Sequence, residues 1–211
     1  SLFLSSYYPP SYQFPYNPDS LARSNNYTIY DEMRDDDQVK VALALKKDMA
    51  LNSGWSIVCE DETIKDEIAE ILQNVGSYDT LETSFDDSLR EIMTAYDYGF
   101  SLSEVIFRKP SDGSSGKYEV QCIKVRPPHS FLFDLDVKGK VTQIRQYAAT
   151  GFLEFDPSIF LHYVYQPEFG NPYGKSDLKS CHQAWKAKKF LFRMAMRYGE
   201  RFAGNLVVGR Y

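Results

Sequence analysis

Gly170-Asn171-Pro172-Tyr173-Gly174-Lys175-Ser176-Asp177-Leu178 is the stretch on which the reading of this chain turns. It follows a strand-like segment and opens the longest helical pattern in the sequence, about Asp177 to Phe202. Glycine, lysine and serine before a helix are the ingredients of a phosphate-binding loop. That loop needs four residues between its glycines so that successive N–H groups can wrap a phosphate. Here there are three, and Pro172 has no N–H to offer. The alternative is a tight entry turn shaped by Pro172 and Gly174, with Ser176 or Asp177 capping the helix.

The helix itself is patterned twice. Ala184, Lys188, Leu191, Ala195, Tyr198 and Phe202 recur at three-and-four spacing, widened by Trp185, Phe192 and Met196, and this stripe is expected to anchor the helix. Lys186, Lys189, Arg193, Arg197 and Arg201 form a second, basic stripe well around the helix. Between Lys175 and Arg210 there are nine basic residues and two acids, a net charge of +7, within a chain whose total is −5. The remainder therefore carries −12. Its acids concentrate at Asp31, Glu32, Asp35, Asp36 and Asp37 and in the helical segments Asp61–Glu70 and Glu82–Glu91. A molecule with one positive and one negative surface suits head-to-tail association with copies of itself, which closes into a ring if the rotation permits. The same stripe would suit a phosphate backbone.

Ahead of the long helix, Asp35 or Asp36 is placed to cap a helix running to Ala50 or Leu51, with Gly54 as its stop. Trp55–Cys59 alternates like a strand. Helices are expected over Glu62–Gln73 and, capped by Thr83 or Ser84, over Phe85–Tyr98. Strands are expected at 101–108, 118–125, 131–136, 143–148 and 159–165, joined by hairpin-like turns at 110–116 and 137–140. A last strand is expected at 205–209. No helix separates the central strands, so the class is α+β, with an antiparallel or mixed sheet, N-terminal helices and one long C-terminal helix. Residues 1–24, rich in proline and tyrosine, read as an extended arm, and 25–211 as one domain.

Other chemistries find little support. Three consecutive acids on a helix point in different directions and do not converge on one ion, so Asp35-Asp36-Asp37 reads as capping and dipole complementarity. His129, His162 and His182 lack ligand spacing, and Cys59, Cys122 and Cys181 contain no CxxC pair. No catalytic constellation assembles by spacing, and no metal or cofactor is expected. No apolar run reaches the ~20 residues of a membrane span. The chain begins without Met and ends in a strand-like stretch, and is expected to be part of something longer.

Several phrases in order resemble the portal proteins of tailed bacteriophages, closest to the Mu-like group. They are Tyr30-Asp-Glu-Met33, Asp37 to Leu45, Trp55-Ser-Ile-Val58, Tyr96-Asp-Tyr-Gly99-Phe-Ser-Leu-Ser-Glu104-Val-Ile-Phe107, Pro128-His-Ser-Phe131-Leu-Phe133-Asp, Phe160-Leu-His162, Asn171 to Leu178, and Trp185 onward to Phe202-Ala-Gly-Asn205. The resemblance covers about Tyr30 to Tyr211 and implies the wing region of a structural, non-enzymatic subunit, with stem, clip and crown absent. It implies a dodecameric ring at one capsid vertex, through which double-stranded DNA is packaged and ejected. The partners it implies are other copies of the chain, capsid protein, the terminase motor and head-completion proteins, in a virion assembled in the host cytoplasm. Lys186, Lys189, Arg193, Arg197 and Arg201 are then candidate subunit or DNA contacts, and Asp31 to Asp37 the complementary surface. The alternatives are a nucleic-acid-binding module using the 186–201 stripe and a phosphate-binding enzyme at 170–176.

Overall fold

A computed structural model describes residues 17, 19–25, 27–77, 82–109, 118–136, 138–148, 151–202 and 209. The expected strand at 205–209, the loop at 110–116 and most of the arm lie outside the described residues. Among the described residues the helices α1 (Ser20–Asn25), α2 (Thr28–Arg34), α3 (Asp37–Leu51), α4 (Glu62–Asn74), α5 (Phe85–Ile92) and α6 (Ala95–Tyr98) come first. The strands β1 (Phe100–Arg108), β2 (Glu119–Arg126), β3 (Phe131–Leu135), β4 (Val141–Ala148), β5 (Gly151–Phe155) and β6 (Phe160–Val164) follow. The long helix α7 (Asp177–Phe202) comes last.

The α+β class and the antiparallel pairing match the sequence reading, but the strands form two sheets rather than one. They are ordered β2-β1-β6 and β3-β4-β5. In the first, Leu102 lies opposite Arg126 on one side and His162 on the other; in the second, β4 pairs Phe133 with Ile144. The core sits where the two sheets meet the helices. Phe100 and Leu102 of β1 and Phe133 and Ile144 of the second sheet join Tyr30 and Met33 of α2 and Leu178 and Trp185 of α7. Its rings meet edge to face: Phe100 lies 5.2 Å from Phe133 and 5.8 Å from Tyr173. Such pairs add about 0.5–1.5 kcal/mol each beyond the area they bury.

Local signals explain most of the elements. Asp36 caps α3 by accepting the Gln38 and Val39 N–H groups, Asp61 caps α4 through Thr63, and Ser84 caps α5 through Asp87. Three expectations need correction. Trp55–Cys59 is not a strand, because alternation creates one only where a neighbouring strand supplies partners. Instead the Trp55 indole donates to Asp86 at 2.8 Å and stands edge-on to Phe85. The helix expected over 85–98 breaks after Ile92. Asp97 N–H bonds to Thr94 O and Tyr96 N–H to Met93 O, a tighter turn that leaves α6 with Ala95, Asp97 and Tyr98 buried. Residues 20–24, assigned to the arm, lie in α1, where Asp19 accepts the Leu21 and Ala22 N–H groups. Strand β5, largely exposed along the edge of its sheet, carried no recognisable pattern.

Candidate interaction surface

The start of α7 is spliced into the fold by backbone contacts. Asn171 Oδ1 accepts the Tyr173 N–H at 2.9 Å, and its Nδ2 donates to Gly174 O at 2.8 Å. Tyr165 N–H bonds to Gly99 O, and Lys175 N–H to Tyr165 O. Gly174 (φ 58°) and Gly99 (φ 97°) let these segments touch: a Cβ on Gly174 would lie 2.1 Å from Gly99 O. Ser176 Oγ accepts the Leu178 N–H and donates to Asp97 O, as the capping alternative requires. The N–H groups of Asn171, Tyr173, Gly174 and Lys175 all bond to groups of the protein, and Lys175 Nζ faces Glu168 at 3.5 Å. These four N–H groups are therefore not available to wrap a phosphate.

From that splice α7 packs its first half on α2 and α6, with Leu178 and Trp185 as its buried residues. Lys188 Nζ lies 2.8 Å from both Asp36 carboxylate oxygens and 3.0 Å from Asp37. Its ammonium is the leading reason that the Asp36 carboxyl is held below the usual carboxylate range. Lys189 Nζ reaches Glu32 at 3.3 Å and lies 4.2 Å above the Trp185 ring. Asp31 accepts from the Tyr98 hydroxyl and sits 2.7 Å from His129 Nε2. Four of the five residues in the acidic set, Asp31, Glu32, Asp36 and Asp37, are therefore engaged inside the chain. Asp35 lies exposed at the α2–α3 turn.

Beyond Lys189 the helix leaves the body of the protein. Phe190, Leu191, Phe192, Met194, Met196, Tyr198 and Phe202 are between 48% and 68% exposed. The anchoring stripe expected along the whole helix thus anchors only its first half. Lys186, Arg193, Arg197 and Arg201 lie exposed and make no ion pair among the described residues. Of the basic stripe, only Lys189 meets the acidic set. A thirteen-residue half-helix with its apolar side chains this exposed among the described residues is marginal in water, since isolated helices shorter than ~12–15 residues barely hold. A contiguous apolar surface of this kind marks a site of association.

A second charged feature escaped the sequence reading. Asp97 is fully buried, accepts from Lys47 Nζ at 2.9 Å, and pairs with Arg34 Nε at 3.0 Å. It lies at the floor of a cleft of about 610 Å³ bordered by Arg34, Lys40, Lys47, Arg90 and Glu91. Burial raises its carboxyl above the usual range despite the attraction of Lys47 and Arg34. The segment Tyr96-Asp97-Tyr98-Gly99 stood out in the sequence, but its cationic partners are too distant along the chain to be paired by spacing.

A family model described as the portal protein of Mu bacteriophage matches residues 27–211. Among curated proteins no sequence matches the chain. Among the solved structures that share its fold are two from GTA particles. One is the neck of an empty GTA particle computed with C6 symmetry (TM-score 0.57, 13% identity, 91% of this chain and 47% of that one). The other is the virion of a native gene transfer agent (GTA) particle (TM-score 0.58, 10% identity, 90% of this chain and 46% of that one). The chain spans about half the length of the solved chains it resembles.

Proposed function

The chain belongs to the Mu bacteriophage portal protein family, and from that premise we propose that it is the wing region of a subunit in a portal ring. The ring would stand at one capsid vertex, pass double-stranded DNA during packaging and ejection, and join head to tail. Capsid protein, the terminase motor and head-completion proteins are its expected partners, with assembly in the host cytoplasm. The role is structural and non-enzymatic.

The observation that carries this reading is the projecting half of α7. A helix that is apolar over much of its circumference yet exposed is half of an interface. Beside the arc of Arg193, Arg197 and Arg201 the helix exposes Leu191, Phe192, Met194, Met196 and Phe202, which favours a protein partner over a phosphate backbone, since phosphate contacts alone would leave those apolar side chains in water. The splice at Gly99 and Gly174 gives the projection a fixed root, as a part that must align with identical copies requires.

The test is the mass and shape of the complete gene product, by native mass spectrometry and negative-stain electron microscopy. An integral multiple of the subunit mass, with an annulus around a central hole, supports the proposal. A stably monomeric protein at micromolar concentration overturns it.

A further inference from the structure

Resting on the ring reading, we propose that the projecting half of α7 docks on α4 of the adjacent copy. In this contact Leu191, Met194 and Tyr198 lie on Ile64, Ile68 and Ile71, with Arg197 and Arg201 beside Glu67 and Glu70. The acidic set nearest α7 in its own chain is already engaged by Lys188 and Lys189, so the outer arginines need acids elsewhere. Two helices present exposed apolar rows that are candidates to receive them. Ile64, Ile68 and Ile71 of α4 are 48%, 37% and 39% exposed, and Val41, Leu45 and Met49 of α3 are more exposed still.

Charge separates the two. The two aspartates of α3, Asp37 and Asp48, already pair with Lys188 and Arg90 and are outnumbered by its three lysines, whereas α4 carries four acids against one lysine. Residues 190–202 carry three arginines and one acid. Geometry agrees. Residues 190–202 equal α4 in number, and each segment is about 20 Å long at 1.5 Å per residue. Leu191, Met194 and Tyr198 fall within about 60° of one another around α7, as do Ile64, Ile68 and Ile71 around α4. Arg197 and Arg201 border the first row, and Glu67 borders the second with Glu70 beyond it. A head-to-tail contact of this kind uses different surfaces on the two copies and so propagates around a ring.

The experiment uses the complete gene product in three charge variants: Arg197→Glu with Arg201→Glu, Glu67→Arg with Glu70→Arg, and all four together. Native mass spectrometry reads the fraction in rings. Each double variant should lower that fraction by about tenfold or more, and the fourfold variant should restore it. Double variants that assemble like the parent, or a fourfold variant that stays disassembled, overturn the assignment of α4. A parent protein that forms no ring would instead sink the reading beneath it. Should any variant misfold by circular dichroism, p-benzoylphenylalanine at position 194 decides the matter in the parent background. A photo-crosslink to residues 60–74 of another copy supports the contact, and one to residues 1–16, to α3 or to nucleic acid overturns it.

Discussion

Lys188 of α7 and Asp36 tie α7 to the start of α3: the ammonium lies 2.8 Å from both carboxylate oxygens of the residue that caps α3. The cap is thus also a counter-ion, and the two roles are separable by substitution. Asp36→Ala removes both and should cost about 1 kcal/mol for the cap alone. Asp36→Asn keeps a good cap and loses only the charge, so it should cost less. Because the folded-state carboxyl titrates below its unfolded value, its contribution is present above about pH 4 and is lost as pH falls through the folded value. Urea unfolding of the Asn variant should accordingly show a shallower loss of stability on the acid side than the parent.

Gly174→Ala should be among the most damaging small substitutions in the chain. The added carbon meets backbone on two sides, Gly99 O and Tyr165 O, neither of which can swing aside. Gly139 is the control: it too has positive φ (82°), but the space around it is open. Gly139→Ala should cost only the left-handed strain of about 1–2 kcal/mol, and Gly174→Ala clearly more. Equal midpoints in urea for the two variants would show that the close approach of the two segments does not matter.

Acidification should weaken the fold through His162. Its ring stacks on Phe133 at 4.4 Å, and its Nε2 lies 2.9 Å from the Pro172 carbonyl. A carbonyl only accepts, so Nε2 carries the proton and Nδ1 does not. Burial lowers the His162 pKa, partly opposed by the Pro172 carbonyl. The unfolded chain therefore takes up a proton near pH 6.5 that the folded chain declines until lower pH. Stability contributed by this group is complete above pH 6.5 and falls as pH drops below it. Thermal melts at pH 7.5 and 5.5 should show a drop in Tm that is smaller in His162→Gln.

Asp97→Ala should destabilise by about 3–5 kcal/mol, because it leaves the nearly buried Lys47 ammonium without its carboxylate. Lys47→Met should cost less, since Arg34 still faces Asp97. A reversed order in urea unfolding would assign the stabilising role to Lys47 rather than to the carboxylate.

The parts of this fold that were legible in the sequence are those fixed by neighbours along the chain. The bounds of α7 follow from the turn at Gly170–Ser176 and from an unbroken helical pattern, and the cap at Asp36 from its place before an apolar run. What was not legible depends on partners far away. Trp55–Cys59 alternates, yet no strand lies beside it. Asp97 looked like one residue of a motif until Lys47 and Arg34 came to it through space. Periodicity grouped Leu191, Ala195, Tyr198 and Phe202 on one face, but it is silent on whether that face meets its own chain or another. That ambiguity hid the main feature of the candidate surface, the emergence of α7 from the fold after Lys189.

Hydrogen exchange across residues 190–202, compared between dispersed subunits and the assembled gene product, reads that feature most directly. These amides should exchange rapidly in the dispersed subunit, as those of a lone half-helix do, and slow sharply on assembly together with those of α4. Equal exchange of residues 190–202 in both states would contradict that expectation.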